Sequence, residues 1–403
     1  MTIANVVVLG ATGSIGDSTL DVLRRHKDKF RLHTVTANSK VDKLFQICLE
    51  FEPELAILTE EHAAFALANK LSETLCSTIV KHGSEALVDS VQHTQVDSVV
   101  TGIVGAAGLL PTLSAVRSGK RVLIANKEPL VMMGREIVTE AALSGAEIIP
   151  LDSEHNALFQ CLPDAYRTGS RSEFRTVRRI LLTGSGGPLR QWSEGQLKSV
   201  TPAQAIAHPN WSMGPKISVD SATLMNKGLE LIEACCLFSV TAKHVEVVIH
   251  PQSTVHSMIE YEDGSIIAQM GCSDMRIPIA HGLGWPNRIE SGAGFLDFTT
   301  LGSLDFEAPD LKKFPCLGLA REVADISGTA PTILNAANEV AVESFLSGQI
   351  LFTSIAGIIE KTLANVATEP DQKLSTVLRA DADARAFASD VTRQMSVHGA
   401  IAS

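Results

Sequence analysis

No C-x-x-C pair occurs in this chain, and its seven cysteines, at positions 48, 76, 161, 235, 236, 272 and 316, are an odd number. That combination argues against a disulfide framework and a zinc knuckle, and it reads as a reducing compartment. Apolar runs are short, and none approaches the roughly 20 residues that a membrane-spanning helix requires. Basic residues are outnumbered by acidic ones, for a formal net charge of −11. A face for nucleic acid or an anionic membrane is therefore not expected, and an anionic ligand must be met by a local cluster of donors against a repelling global field. Tyrosine is nearly absent: Tyr166 and Tyr261 are the only two, and neither has a lysine four residues on. The Y-x-x-x-K pair of nucleotide-sugar epimerases is thereby missing. The opening MTIANVVVLG reads as a strand, so no signal or transit peptide is expected and the cytoplasm is the expected compartment.

What the chain does contain is a regular alternation. Within the first 150 residues, NVVVLG, RLHTVTA, ELAILT, SVVTGIVG, RVLIAN and AEIIPLD each read as a buried strand. Helix-period segments such as DSTLDVLRRH and VDKLFQICLEF lie between most of them. This is the pattern of a parallel α/β sheet with helices on both faces, whose ligands sit at the carboxyl ends of the strands. From about residue 151 the texture changes. RRILLTGSGGPLR reads as a strand entering a Gly-rich turn, and residues 186–216 as loop. VEVVIH, VHSMIEY and SIIAQMG predict a mixed or antiparallel sheet with a hairpin at EDG. Residues 285–310 read as an irregular connector, and CLGLAREVADISG, TILNAANEVAVESFLSG and SIAGIIEKTLANVA predict a C-terminal helical bundle. A chain of 403 residues is expected to hold two or three domains. The expected boundaries are 1–150, 151–285, a linker at 286–312, and 313–403.

The motif GATGSIG follows a strand and opens a helix. Glycines 10, 13 and 16 permit a tight turn, close approach to a pyrophosphate and close helix packing, while the helix N-terminus offers free N–H groups. An NAD-preferring fold ends its second strand with a carboxylate for the ribose 2′-hydroxyl. Here that strand ends TANSK, and Asn38, Ser39 and Lys40 suit a 2′-phosphate, so NADP(H) is expected.

Two acids, Asp152 and Glu154, stand just past a predicted strand in LDSEHNA. An extended backbone would point both to one face, whereas a helix N-terminus decorated with acids is the alternative. On the helix following Asp220, Leu224, Met225, Leu231, Ile232 and Cys235 share one side with Gly228, and Asn226, Lys227, Glu230 and Glu233 share the other. That polar face is either solvated or supplies one or two further carboxylates. Carboxylate oxygens with water and substrate oxygens suit Mg²⁺ or Mn²⁺. His208, His250 and His256 lack the spacing of a zinc site. The GSGG run at 184–187 is a possible anion nest, and Ser185, Ser221, Asn226 and Lys227 are the donor mix that holds a phosphate monoester. Lys127, flanked by Asn126 and Glu128, lies at the ligand-bearing edge of the sheet.

GATGSIG, GIVGAAGLLPTL, ANKE, LDSEHNALFQ, ILLTGSGGP, HPNWSMG, SVDSATLMNKGLELIEA and HPQSTVHSM resemble, in order and spacing, the 1-deoxy-D-xylulose 5-phosphate reductoisomerase family. The resemblance runs through nearly the whole chain. It implies an α/β fold with an N-terminal Rossmann-like NADPH domain, a central α+β catalytic domain with a mobile flap at about 186–216, and a C-terminal helical bundle, in a homodimer. It implies Asp152, Glu154 and Glu230 as ligands of Mg²⁺ or Mn²⁺, choosing Glu230 over Glu233. Ser153 and Lys127 match contacts to substrate oxygens; Ser185, Ser221, Asn226 and Lys227 match the phosphate site, with His208 beside them. Trp211 and Met213 match the flap. Thr12, Gly13, Ser14 and Ile15 match the cofactor turn, Asn38, Ser39 and Lys40 the 2′-phosphate reader, and Asn126, Glu128 and Gly214 go with the cofactor. Pro129 and Pro215 depart from the pattern of many members without touching the chemistry. The implied reaction is a carbon-skeleton rearrangement of the sugar phosphate, by retro-aldol and aldol steps, followed by hydride reduction of the aldehyde. A plain NADP-dependent dehydrogenase gives no reason for the carboxylate trio, and an NADP sensor gives none for retaining Lys127 beside it.

Overall fold

A computed structural model describes residues 3–163, 176–211, 213–326 and 328–395. Two compact units appear, each assembled from separate stretches of chain. The first takes Met1–Pro129, Ile137–Phe159 and Asp274–Leu296; the second takes Leu130–Glu136, Gln160–Ser273 and Asp297–Ser403.

The first unit is built on a seven-stranded sheet. Its strands are β1 (Ala4–Leu9), β2 (Phe30–Ala37), β3 (Leu55–Leu58), β4 (Ile79–His82), β5 (Ser98–Thr101), β6 (Arg121–Ile124) and β7 (Glu147–Pro150). The order is β4-β3-β2-β1-β5-β6-β7, and every pairing is parallel. Val6, Val7 and Val8 of β1 have no solvent exposure, as expected for β-branched residues in a strand covered on both faces. The chain order reverses between β1 and β5, and that switch point is where open α/β sheets bind ligands. Gly10 and Gly102 meet there: a Cβ on Gly10 would lie 2.6 Å from the Gly102 carbonyl oxygen, and Gly10 has φ +76°. Only a residue without a side chain allows both the turn and the approach.

Six strands match the predicted runs, although SVVTGIVG is a strand only over Ser98–Thr101. The seventh, β4, was not predicted. It is an edge strand with most of its residues exposed, so it lacks the buried run that marks its neighbours.

The second unit contains a four-stranded sheet of β8 (Val177–Gly184), β9 (Val245–Ile249), β10 (Val255–Tyr261) and β11 (Ile266–Met270), in the order β11-β10-β8-β9. β8 and β9 are parallel, while β10 runs antiparallel to β8 and β11, so the sheet is mixed. The β10–β11 hairpin turns at Gly264, with φ +84°. Residues 285–310 form no helix, and their one bridge pairs Glu307 with Ile249.

The segment 186–216, read as loop, carries two short helices, Glu194–Leu197 and Pro202–Ile206, and runs into a third, Pro215–Ala222. The first two have full capping boxes, Ser193 with Gln196 and Thr201 with Gln204. The proline at the start of the second and of the third suits a first helical turn. Helices Cys316–Ile326, Ala330–Leu346 and Ser354–Asn365 match the predicted bundle. A further helix, Leu374–Met395, was missed. Its buried stripe is Val377, Ala380, Ala384, Ala388 and Val391, an alanine seam too weakly apolar to stand out. Ala380 and Ala384 pack on Ile333 and Ala336. Among the described residues, no helix is long and apolar enough to cross a membrane.

Candidate functional site

In the first unit, the turn after β1 leads directly into helix Ser14–Arg25, with Gly13 at the N-cap. Gly13 and Ser14 are exposed, Ile15 is partly so, and Thr12 is buried. Gly16 sits against the chain itself: a Cβ there would lie 2.3 Å from the Ala11 carbonyl oxygen. β2 ends at Ala37, and Asn38, Ser39 and Lys40 follow as an exposed bend that caps helix Val41–Phe51. These polar groups therefore stand at the carboxyl edge beside the glycine turn.

Farther along the same edge, β6 delivers Asn126, Lys127 and Glu128. Asn126 and Glu128 are buried, and Lys127 caps helix Glu128–Ser144. Thr101 Oγ1 donates to Asn126 Oδ1 at 2.7 Å, while Asn126 Nδ2 is buried with no acceptor among the described residues. Gly108 makes room for that amide, since a Cβ there would lie 2.3 Å from Nδ2. Lys127 forms an ion pair with Asp152.

Asp152 and Glu154 are not on an extended segment. Helix Ser153–Cys161 begins immediately after Asp152, which places Glu154 in its first turn. The alternative reading of a helix start lined with acids was the right local geometry, and the helix dipole favours both charges. Ser153 Oγ donates to Glu154 Oε2 at 2.5 Å.

In the second unit, β8 ends at Gly184 and turns through Gly186 (φ +82°) and Gly187 (φ +72°). Ser185 is held in this turn by two contacts. Gly187 N–H donates to its Oγ at 3.1 Å, and His208 Nε2 lies 2.8 Å away. The tautomer follows from the other ring nitrogen: His208 Nδ1 accepts from the backbone N–H groups of Asn210 and Trp211, at 3.2 and 3.0 Å. In the neutral ring Nε2 then carries the proton and donates to Ser185, leaving the Ser185 hydroxyl proton for a further acceptor. Asn210, which the sequence reading passed over, ties this segment down through Pro251 O at 2.6 Å and Ser253 Oγ at 3.0 Å. Trp211 is half-buried, with its ring 6.1 Å from that of His256; Met213 is half-buried, and Gly214 is the exposed N-cap of the next helix.

Ser221 lies near the end of helix Pro215–Ala222, and a separate helix, Met225–Leu237, starts after Leu224 in left-handed conformation. One continuous polar face beginning at Ser221 is therefore not present. Nor is the second helix's polar side solvated: Lys227 is 5% exposed, Glu230 0% and Glu233 1%. Asn226 and Lys227 both donate to Glu230, and Lys227 Nζ also donates to Thr183 O at 2.9 Å. Gly184 makes that reach possible, because a Cβ on it would stand 2.8 Å from Lys227 Cε. A carboxylate so buried survives because a lysine and an amide compensate it.

Family models described as 1-deoxy-D-xylulose 5-phosphate reductoisomerase, its C-terminal domain, and DXP reductoisomerase C-terminal domain match residues 6–134, 148–238 and 270–387 respectively. The chain is 55% identical to 1-deoxy-D-xylulose 5-phosphate reductoisomerase of Ralstonia pickettii, over 94% of this chain and 95% of that one. It is 54% identical to the Methylococcus capsulatus enzyme of the same name, over 95% and 97%. A crystal structure of DOX-P reductoisomerase in complex with NADPH, fosmidomycin and magnesium superposes with a TM-score of 0.94 at 45% identity, covering 97% of this chain and 98% of that one. The Zymomonas mobilis reductoisomerase in complex with NADPH gives 0.89 at 43% identity, covering 97% and 99%. The glycine turn, the acid-tipped helix, the serine–histidine turn and the buried Lys227–Glu230 pair thus stand in a chain that belongs to the 1-deoxy-D-xylulose 5-phosphate reductoisomerase family.

Proposed function

We propose that the chain carries out the reaction of its family, the NADPH- and divalent-metal-dependent rearrangement and reduction of 1-deoxy-D-xylulose 5-phosphate to 2-C-methyl-D-erythritol 4-phosphate, with the residues described above. The observation that carries the residue assignment is Glu230, a carboxylate with 0% exposure kept charged-compatible by Lys227 and Asn226. Burying an acid on a helix face is costly unless it is paired and hydrogen-bonded, and here the lysine and amide that meet that demand belong to the proposed site itself.

Asp152, Glu154 and Glu230 are the proposed metal ligands. All three offer hard oxygen donors, which fit Mg²⁺ or Mn²⁺. When bound, the cation supplies Lewis acidity at adjacent substrate oxygens, and NADPH supplies the hydride. The chain's own groups do the rest. Lys127 and Ser153 donate to the substrate's backbone oxygens and favour negative charge developing there. Ser185, Ser221, Asn226 and Lys227 grip the phosphate, remote from the bonds that change, so that its binding energy orients the reacting carbons. His208, by donating to Ser185, turns the serine proton outward. Trp211 and Met213 close over the substrate and exclude water, which protects the aldehyde until it is reduced.

Thr12, Gly13, Ser14 and Ile15 are the proposed pyrophosphate contacts, with Asn126, Glu128 and Gly214 as further proposed contacts to the cofactor. Asn38, Ser39 and Lys40 read the 2′-phosphate, supported by their exposure and by the lack of an acid at the end of β2. The proposed assembly is a homodimer working in the cytoplasm. The test is NADPH oxidation followed by absorbance with the sugar phosphate, with Mg²⁺ and then with excess chelator. Oxidation that needs both sugar phosphate and cation is expected; oxidation indifferent to chelator would remove the carboxylate site and leave a plain dehydrogenase.

A further inference from the structure

Ser221 donates nothing by itself unless the short helix that carries it is held still. That helix, Pro215–Ala222, is only eight residues long and ends where the chain turns left-handed at Leu224. Its neighbour in sequence, Asp220, is 1% exposed and plays no part in the reaction described above. The Asp220 carboxylate takes two partners: Lys216 Nζ at 2.9 Å, and Asn338 Nδ2 at 2.8 Å.

The two partners do different work. Lys216 stands four residues earlier on the same helix, so its ion pair with Asp220 balances the charge without joining that helix to another. Asn338 stands 118 residues away, on helix Ala330–Leu346, and is fully buried. Its hydrogen bond ties the short helix to the long one. Apolar packing alone resists sliding poorly, whereas a buried, charge-assisted hydrogen bond fixes one register. The opposite wall is equally tight. A Cβ on Gly187 would lie 2.5 Å from the Ser221 carbonyl oxygen, so the turn holding Ser185 rests directly on the Ser221 backbone. A small displacement of the helix therefore changes the spacing between the Ser221 and Ser185 hydroxyls.

We infer that Asn338 is a positioning residue for the substrate's phosphate: through Asp220 it fixes the helix that presents Ser221 beside the Ser185 turn. The inference rests on the phosphate-site assignment proposed above. It extends that site into the C-terminal helices, from which no residue was expected to contribute.

The test is a double-mutant cycle in the full-length enzyme, with 1-deoxy-D-xylulose 5-phosphate as the varied substrate and NADPH saturating. Ser221→Ala, Asn338→Ala and the double variant are compared with the parent. The expected result is that Asn338→Ala raises KM for the sugar phosphate by about tenfold, a size typical of coupled neighbours. Its kcat and its KM for NADPH should change far less. The double variant should be no worse than Ser221→Ala alone, because Asn338 acts through Ser221. Additive losses, or equal losses in kcat and in the KM for NADPH, would overturn the inference in favour of a general packing role. A Ser221→Ala variant with unchanged KM would overturn the phosphate-site assignment itself, so the two failures are distinguishable. Asn338→Ser is run through the same cycle, so that a folding loss in the alanine variant does not decide the outcome.

Discussion

Gly184 shows how a residue with no side chain can govern a charged one. Its absent Cβ is the space through which Lys227 reaches Thr183 O and Glu230. Gly184→Ala is expected to push Lys227 aside and raise KM for the sugar phosphate by about tenfold, roughly 1.4 kcal/mol of binding, with NADPH affinity unchanged. Steady-state kinetics with each substrate varied in turn checks this, and a parallel loss of NADPH affinity would count against it. Glu230→Gln keeps the shape and removes the charge. It is expected to lower kcat by about 10²- to 10³-fold, the range seen when one electrostatic contact is lost from an active site. A fluorescence titration should find NADPH binding intact, and unchanged turnover would take Glu230 out of the proposed metal site. At this scale the sequence was informative about identity and silent about environment. Periodicity grouped Asn226, Lys227, Glu230 and Glu233 on one face, yet it could not say that the face is buried, because burial depends on what packs there.

Elements differ in how much of them is written locally. The strand–turn–helix at GATGSIG was legible because its glycines meet steric demands within a few residues of themselves. Gly16→Ala makes that demand measurable. Alanine gains up to about 1 kcal/mol in helix propensity over glycine. Its Cβ, however, would meet the Ala11 backbone at 2.3 Å, and backbone atoms cannot swing away. A net loss of about 1–3 kcal/mol is expected from overpacking, together with weakened NADPH binding; a urea titration showing equal or greater stability would refute it. A second tie joins helix Ser14–Arg25 to helix Arg276–Gly284. Arg276 donates to Asp21 at 2.8 Å and to Asp274 at 2.6 Å. Its guanidinium holds both carboxyls below their ordinary value of 3.8. A depressed carboxylate stabilises the fold in full above the ordinary value, and that stability is lost as pH falls through the lower folded value. Arg276→Gln should therefore lower stability near neutral pH and flatten its fall on acidification below about pH 4. Unfolding curves at several pH values, identical for parent and variant, would show that the tie contributes nothing. Among the elements that escaped sequence reading, the edge β4 is mostly exposed and the helix Leu374–Met395 buries chiefly alanine, so neither carries the strongly apolar pattern that marks its neighbours.

At the scale of the molecule, neither compact unit is a continuous piece of chain. The sheet unit borrows Asp274–Leu296 from beyond the second sheet, and the other unit includes Leu130–Glu136 from inside the first 150 residues. Because the cofactor contacts proposed for the glycine turn and the β2 bend all belong to the sheet unit, NADPH is expected to stabilise that unit selectively. At a hundred times its Kd the gain is about 2.7 kcal/mol. Hydrogen exchange should then slow across β1, β2 and helix Ser14–Arg25 more than across helices Ala330–Leu346 and Leu374–Met395. Uniform slowing would show that the units unfold together. The sequence by itself determined the alternating architecture of the first 150 residues, the absence of a 2′-hydroxyl acid, the donor and carboxylate types, and the family resemblance. Each of these is a matter of residue type at short spacing, where sterics, hydrogen-bonding capacity and strand or helix period act within a turn or two. The tertiary structure alone decided that Glu230 and Lys227 are buried, that Glu154 lies in the first turn of a helix that Asp152 precedes, and that Asn338 reaches Asp220 across 118 residues. Burial and long-range hydrogen bonds depend on which surfaces the folded chain brings together, and no local period in the sequence encodes that.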